Sequence, residues 1–197
     1  MYMENKVILT KDQLFKAMKM NEQKTAEVSV KTTKQPNLYK LSDKVIGILT
    51  ERLKDEYYAH YLYRAAANWC HDMNYKKAAA FFDADAVTEL QHAELLQKYM
   101  TDFNIVPQIP SAKPEHTFSN LIDIIYQAYE FELRLMKSYN KDSSSVFSED
   151  LTTFDFLETF RDIQRESVVE FNDLINASNL INKNNKFDVL YFEQTYF

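Results

Sequence analysis

Glu89 and His92 stand three residues apart in the stretch Thr88-Glu89-Leu90-Gln91-His92. On a helix that spacing puts both side chains on one face, about a turn from each other. The rest of that face is apolar, with Ala78, Phe82, Ala86, Ala93 and Leu96 recurring at helical intervals. A carboxylate and an imidazole aimed into an apolar stripe are costly unless paired, and a metal ion is one partner that satisfies both. A Glu-x-x-His pair alone is common by chance, so its weight depends on what other segments supply. Glu56 sits at the centre of an arc formed by Val45, Leu49, Leu53, Ala59, Tyr63, Ala67 and Cys70, and His60 leans the same way. Gln164 is central among Leu157, Phe160, Val168, Phe171 and Ile175, with Ser167 at the margin. Gln127 borders the stripe of Leu121, Ile124, Ala128, Phe131 and Leu135. Singly, each has a bland reading: a buried ion pair or wet cavity for Glu56 and His60, and a hydrogen-bonded structural amide for each Gln. Together, near the mid-length of four helical patterns, they form a candidate cluster. Carboxylate oxygens with one imidazole suit iron or manganese, whereas zinc or iron–sulfur sites would call for thiolates.

Four long helices must hold these groups. Ser42 is a good N-cap for the first, which runs to about His71, with Asp43, Lys44, Glu51, Lys54 and Asn68 on its outer side. The second spans about Asn74 to Tyr99, the third Thr117 or Ser119 to Asn140, and the fourth Asp150 to Asn179. Between the second and third lies Thr101 to Glu115, with Pro107, Pro110 and Pro114 and no apolar periodicity. About 15 extended residues span roughly 50 Å, and a helix of about 27 residues is roughly 40 Å long. The connection can therefore return the chain along the whole bundle, which predicts an all-α four-helix bundle with one long crossover between helices 2 and 3. Residues 1–41 read as an N-terminal extension: a capping box at Thr10–Gln13 opens a short helix with Leu14, Phe15 and Met18, and residues 25–40 read as a polar linker. Residues 42–180 form the bundle, and 181–197 a tail or short fifth helix.

The composition agrees. Among 197 residues there are one Gly and four Pro, which argues against turn-dense β or Rossmann-like folds. Thirteen Tyr and fourteen Phe suit a packed helical interior. A net charge of -6 disfavours nucleic acid as the main partner. The single Cys70 excludes an intramolecular disulfide and suits a reducing compartment. With no signal-peptide core after Met1 and no long apolar run, no membrane association and a cytoplasmic location are expected.

From about Ser42 to Leu180 the chain resembles the ferritins. Leu53–Tyr63 (LKDEYYAHYLY) is similar to their first-helix motif, Ala65–Cys70 (AAANWC) to the bacterial version, and Ala78–His92 (AAAFFDADAVTELQH) to their second-helix motif. Asp155–Gln164 (DFLETFRDIQ) resembles the fourth helix of eukaryotic heavy chains. The resemblance implies a homo-oligomeric shell, usually of twenty-four copies, that oxidises Fe(II) with dioxygen or peroxide and stores the mineral inside. It implies an iron site of Glu56, Glu89 and His92, with Tyr63 beside it, Glu89 bridging to a second iron, and Gln164 in support. The second site's Glu on the third helix is matched to Gln127, a neutral and poorer ligand, so that site is expected to be weakened. The fourth helix reads Gln164-Arg165-Glu166-Ser167 where ferritin-like di-iron proteins can carry a second Glu-x-x-His. Thr88 stands where a Glu often precedes the bridging residue, which argues against a third iron site. Leu90 replaces the haem-binding Met of bacterioferritins, so no haem is expected. Asp155 and Glu158 match the acids that line three-fold entry channels, or serve simply as a solvated helix start favoured by the dipole. Asp85 and Glu94 would recruit iron or pair with lysines. The expected function is therefore a ferroxidase that stores iron, possessing reduced activity if Gln127 weakens the second site. The alternative is a light-chain-like shell or iron-binding protein without efficient oxidation.

Overall fold

The computed structural model describes residues 38–111 and 116–197, and of the chain's two units the second is Lys40–Phe197. The short helix expected around Leu14, Phe15 and Met18, and the linker up to residue 37, lie outside the described residues. The second unit is all helical among the described residues: α1 (Asp43–Asp72), α2 (Lys76–Asp102), α3 (Leu121–Val146), α4 (Leu151–Ser178) and α5 (Lys186–Tyr196).

Local chemistry sets most of the helix starts. Ser42 Oγ accepts from the Val45 N–H at 3.3 Å, Asn120 from Asp123 at 2.9 Å, Asp150 from Thr153 at 3.0 Å and Asn185 from Phe187 at 2.9 Å. The α1–α2 turn is tight because Asn74 adopts a left-handed backbone at φ 63°, a conformation that Asn tolerates better than most residues. Asn104 does the same after α2, at φ 61°.

α2 begins differently. Tyr75, its N-cap, offers no side-chain hydrogen bond. Glu193 on α5 supplies the cap instead: its buried Oε1 accepts from the Lys77 N–H at 2.7 Å and the Ala78 N–H at 3.1 Å. The region left open between a tail and a fifth helix is thus a docked helix, with Phe197 packed against Phe81 and Phe82 and the buried Phe192 ring edge-on to Phe197.

α1 pairs with α2 and α3 with α4, while residues 103–120 form the long connection that joins the two hairpins. The apolar faces expected of α1, α2 and α3 are all buried. On α4, Leu174 is buried while Val168 and Ile175 are only partly so. α3 runs six residues beyond its expected end at Asn140, through a polar Lys-Asp-Ser-Ser-Ser run. Tyr139, Ser143 and Val146 bury one face of that last stretch, and packing outweighs its weak helix propensity.

Candidate metal centre

The cluster sits inside the bundle, built from the middle of each helix. Glu56 on α1 is wholly buried, Glu89 and His92 on α2 nearly so. One carboxylate oxygen from each Glu and one ring nitrogen of His92 all lie within 4.8 Å of one another. His92 Nδ1 is 3.1 Å from Glu89 Oε2 and 3.7 Å from Glu56 Oε2. His92 packs its ring edge-on to Phe160, which closes the apolar side.

Gln127 does not join them. It is half-buried near the start of α3, where its amide donates to the Thr117 carbonyl at 3.1 Å. The interior carboxylate of α3 is Glu132, fully buried and five residues further on. Five residues turn a helix by roughly 140° beyond a full circle, so the two positions cannot face the same interior. Gln127 is therefore corrected as a cluster residue, and Glu132 is the group that sequence reasoning passed over. Gln164 on α4 is wholly buried, with neither amide atom hydrogen-bonded among the described residues. It approaches Glu132 closely enough to favour that carboxylate.

Two tyrosines complete the cluster. Tyr63 on α1 donates its hydroxyl to Glu132 Oε1, and Tyr139 on α3 donates to Glu56 Oε1. Both phenols are buried. The arrangement leaves Oε2 of Glu56 and Oε2 of Glu132 buried without a hydrogen-bond partner among the described residues. A buried carboxylate oxygen with no partner is expensive, and a cation supplies what is missing.

Electrostatics point the same way. Burial pushes the Glu56 carboxyl well above the usual carboxylate range, and the negative charge of Glu89 adds to it. Glu89 is raised by burial and by Glu132, and Glu132 itself is pushed up to about 8, chiefly by burial. Burial lowers the His92 imidazole against the pull of Glu56. Without a cation the cluster therefore holds protons on its carboxyls and keeps its imidazole neutral. A divalent cation would displace those protons and let the carboxylates ionise.

A cleft of about 270 Å³ opens beside Glu89 and His92, walled by α2 and α4, with Asp85, Glu166 and Glu170 among its lining residues. Burial, and then Glu170, raise Asp85 to about 7. Thr88 is exposed and bonds back to the Ala84 carbonyl, while Ser167 bonds to that of Ile163. His60 is held outside the cluster, with Nδ1 on the Ala86 carbonyl. Asp155 and Glu158 are exposed in the first turns of α4, and Glu94 is exposed on α2.

A ferritin-like domain model matches residues 46–181. The chain belongs to the ferritin family. It is 31% identical over 143 residues to a bacterial non-haem ferritin of Campylobacter jejuni, covering 72% of the chain and 86% of that relative. It is 28% identical over 154 residues to the bacterial non-haem ferritin of Escherichia coli, covering 77% and 92%. Among solved structures, an open-pore ferritin from the archaeon Archaeoglobus fulgidus superposes with a TM-score of 0.74 at 19% identity, over 80% of this chain and 98% of that one. That likeness establishes the ferritin-like four-helix bundle fold.

A signal for Glu132 was present in the sequence. Glu56 is followed seven residues later by Tyr63, and Glu132 by Tyr139, so α1 and α3 carry the same Glu–Tyr spacing. Glu132 also follows Ala128 by four, on the buried side of its helix.

Proposed function

We propose that the chain is an iron-storing ferritin that oxidises Fe(II) at its intra-bundle cluster and sequesters Fe(III) inside a multi-subunit shell. One observation carries the reading. Three donors on two helices converge within 4.8 Å, and buried carboxylate oxygens facing that interior lack partners among the described residues. Iron is the substrate. Glu56, Glu89 and His92 bind a first Fe(II), with oxygen and nitrogen donors of the kind that suit it. The charge of Glu132 acts on Glu89, and in this reading the two carboxylates would share a second Fe(II), with Gln164 in support. Two Fe(II) together give two electrons to dioxygen, which takes up two protons and leaves as hydrogen peroxide, or to peroxide, which takes up two protons and leaves as water; the anionic cage favours the more highly charged Fe(III). The bacterial non-haem ferritins among its relatives support this assignment.

The light-chain-like shell is the second reading. Glu132 as the buried α3 carboxylate, with Gln127 bonded to the Thr117 carbonyl, favours the oxidising one. The shell is expected to contain twenty-four copies, with Asp155 and Glu158 lining iron entry channels, to carry no haem, and to work in the cytoplasm. Among the described residues no helix is long and apolar enough to cross a membrane.

The test is stopped-flow oxidation of Fe(II) by the apo-protein. The parent should oxidise iron well above the spontaneous rate. Glu89→Ala and His92→Ala should each slow it by at least roughly one to two orders of magnitude, the loss found even for groups that only orient metal ligands. Parent-like rates in both variants would remove the site assignment.

A further inference from the structure

The cluster contains a crossed pair of hydrogen bonds: the α1 tyrosine serves the α3 carboxylate, and the α3 tyrosine serves the α1 carboxylate. We propose that Tyr139 is a positioning residue that occupies one oxygen of Glu56, so that Glu56 meets the cation through its other oxygen alone. This rests on the intra-bundle reading of the metal site given above.

The geometry supplies three reasons. Tyr139 is fully buried, and its ring lies stacked on Phe160, with centroids 5.1 Å apart and planes 10° from parallel. The Arg52 guanidinium sits 5.7 Å from the ring centroid. Held between these groups, the phenol has little freedom to swing away, and its hydroxyl must find a partner inside. That partner is Glu56 Oε1 rather than the backbone. The remaining oxygen, Oε2, has no hydrogen-bond partner among the described residues and lies 3.7 Å from His92 Nδ1, on the side where the other donors converge.

A carboxylate free at both oxygens can grip a cation through one or two of them. A buried phenol on one oxygen biases it toward one. The cation then has a donor fewer, and a coordination position stays available for a small ligand. Phe160 links the two halves of the arrangement, because the same ring that backs Tyr139 also meets His92 at 6.1 Å. Displacing the tyrosine would therefore be felt by two donors of one site.

Tyr139→Phe keeps the ring and its stacking and removes the hydroxyl. Co(II), which reports coordination number through its visible absorption, is titrated anaerobically into the parent and the variant, with thermal unfolding measured alongside. The expected result is that the variant still binds Co(II) and that its visible bands weaken several-fold, as Glu56 becomes free to chelate through both oxygens and the coordination number rises. Co(II) bound by the folded variant with an unchanged spectrum would overturn the proposal. A crystal structure of the Co(II)-loaded parent asks the same question without substitution. Glu56 bound through one oxygen, with the other on Tyr139, supports the proposal, and Glu56 chelating through both sinks it. A parent that bound no Co(II) in the bundle would defeat the metal-site reading itself, an outcome distinct from a parent that binds while Tyr139→Phe matches it.

Discussion

Glu132 and Gln127 separate what a side chain can do from where it points. Both are polar groups on α3, and only the buried one is placed to matter to the cluster. Glu132→Gln should therefore slow Fe(II) oxidation at least ten-fold, whereas Gln127→Glu should leave the rate within about two-fold of the parent; stopped-flow absorbance reads both. The acid groups also predict a pH dependence of stability. Glu132 rises from an ordinary value of 4.5 to about 8, and Asp85 from 3.8 to about 7. In both cases the folded protein keeps a proton that the unfolded chain releases. Their stabilising contribution is full below about pH 4, and is lost as pH rises toward 8. Calorimetry of the apo-protein should show Tm falling from pH 5 to pH 8. Bound divalent metal should reduce that fall, because it replaces the protons. A Tm that rose over this window would contradict these two groups as the controlling ones.

α5 shows how one helix completes another. The first turn of α2 exposes backbone N–H groups that its own N-cap does not satisfy, and Glu193 accepts two of them from across the chain. A carboxylate there also suits the positive end of the helix dipole. Glu193→Ala should cost about 1–2 kcal/mol, as other lost caps do, measured by chemical denaturation. The loss should exceed that of Glu193→Gln, whose amide oxygen still accepts. The dock also involves Lys77, whose ammonium donates to the Gln194 carbonyl, and the Phe81–Phe197 contact. None of these is legible from the α5 sequence, whose Asn185 cap and apolar residues state a helix but not its seat. The extension of α3 past Asn140 has the same origin. Its serines argue for a stop, and the buried Tyr139, Ser143 and Val146 override them.

The bundle is a cage of paired hairpins with its polar groups at mid-length, and its surface still carries large apolar side chains. Phe187, Leu180 and Tyr191 are 83%, 80% and 67% exposed. An isolated subunit would leave these in water, and self-assembly would cover some of them. Sedimentation of the purified protein should therefore show one large closed species with no monomer at micromolar concentration. A stable monomer would remove the shell, while leaving the intra-bundle site open to the oxidation test. The aromatic load has a clear use at this level too. Tyr63, Phe82 and Phe171 stack beside one half of the cluster, and Tyr139 with Phe160 beside the other. These rings surround the carboxylates with apolar surface, which strengthens charge interactions inside.

Helical spacing alone determined the four long helices, the crossover, and the common burial of Glu56, Glu89, His92 and Gln164, because periodicity is a local property that each segment carries by itself. The Ser42 cap and the start of the fourth helix near Asp150 were legible for the same reason. Tertiary structure decided the rest. Whether Gln127 or Glu132 faced the cluster depended on the rotation of α3 about its axis, which its neighbours set, and a stripe with polar residues at both border and centre does not state that angle. The crossed tyrosine bonds and the Glu193 cap join residues that are 69, 83 and more than a hundred positions apart. No pattern within a single helix encodes such a pairing, since it exists only when packing brings the two helices face to face.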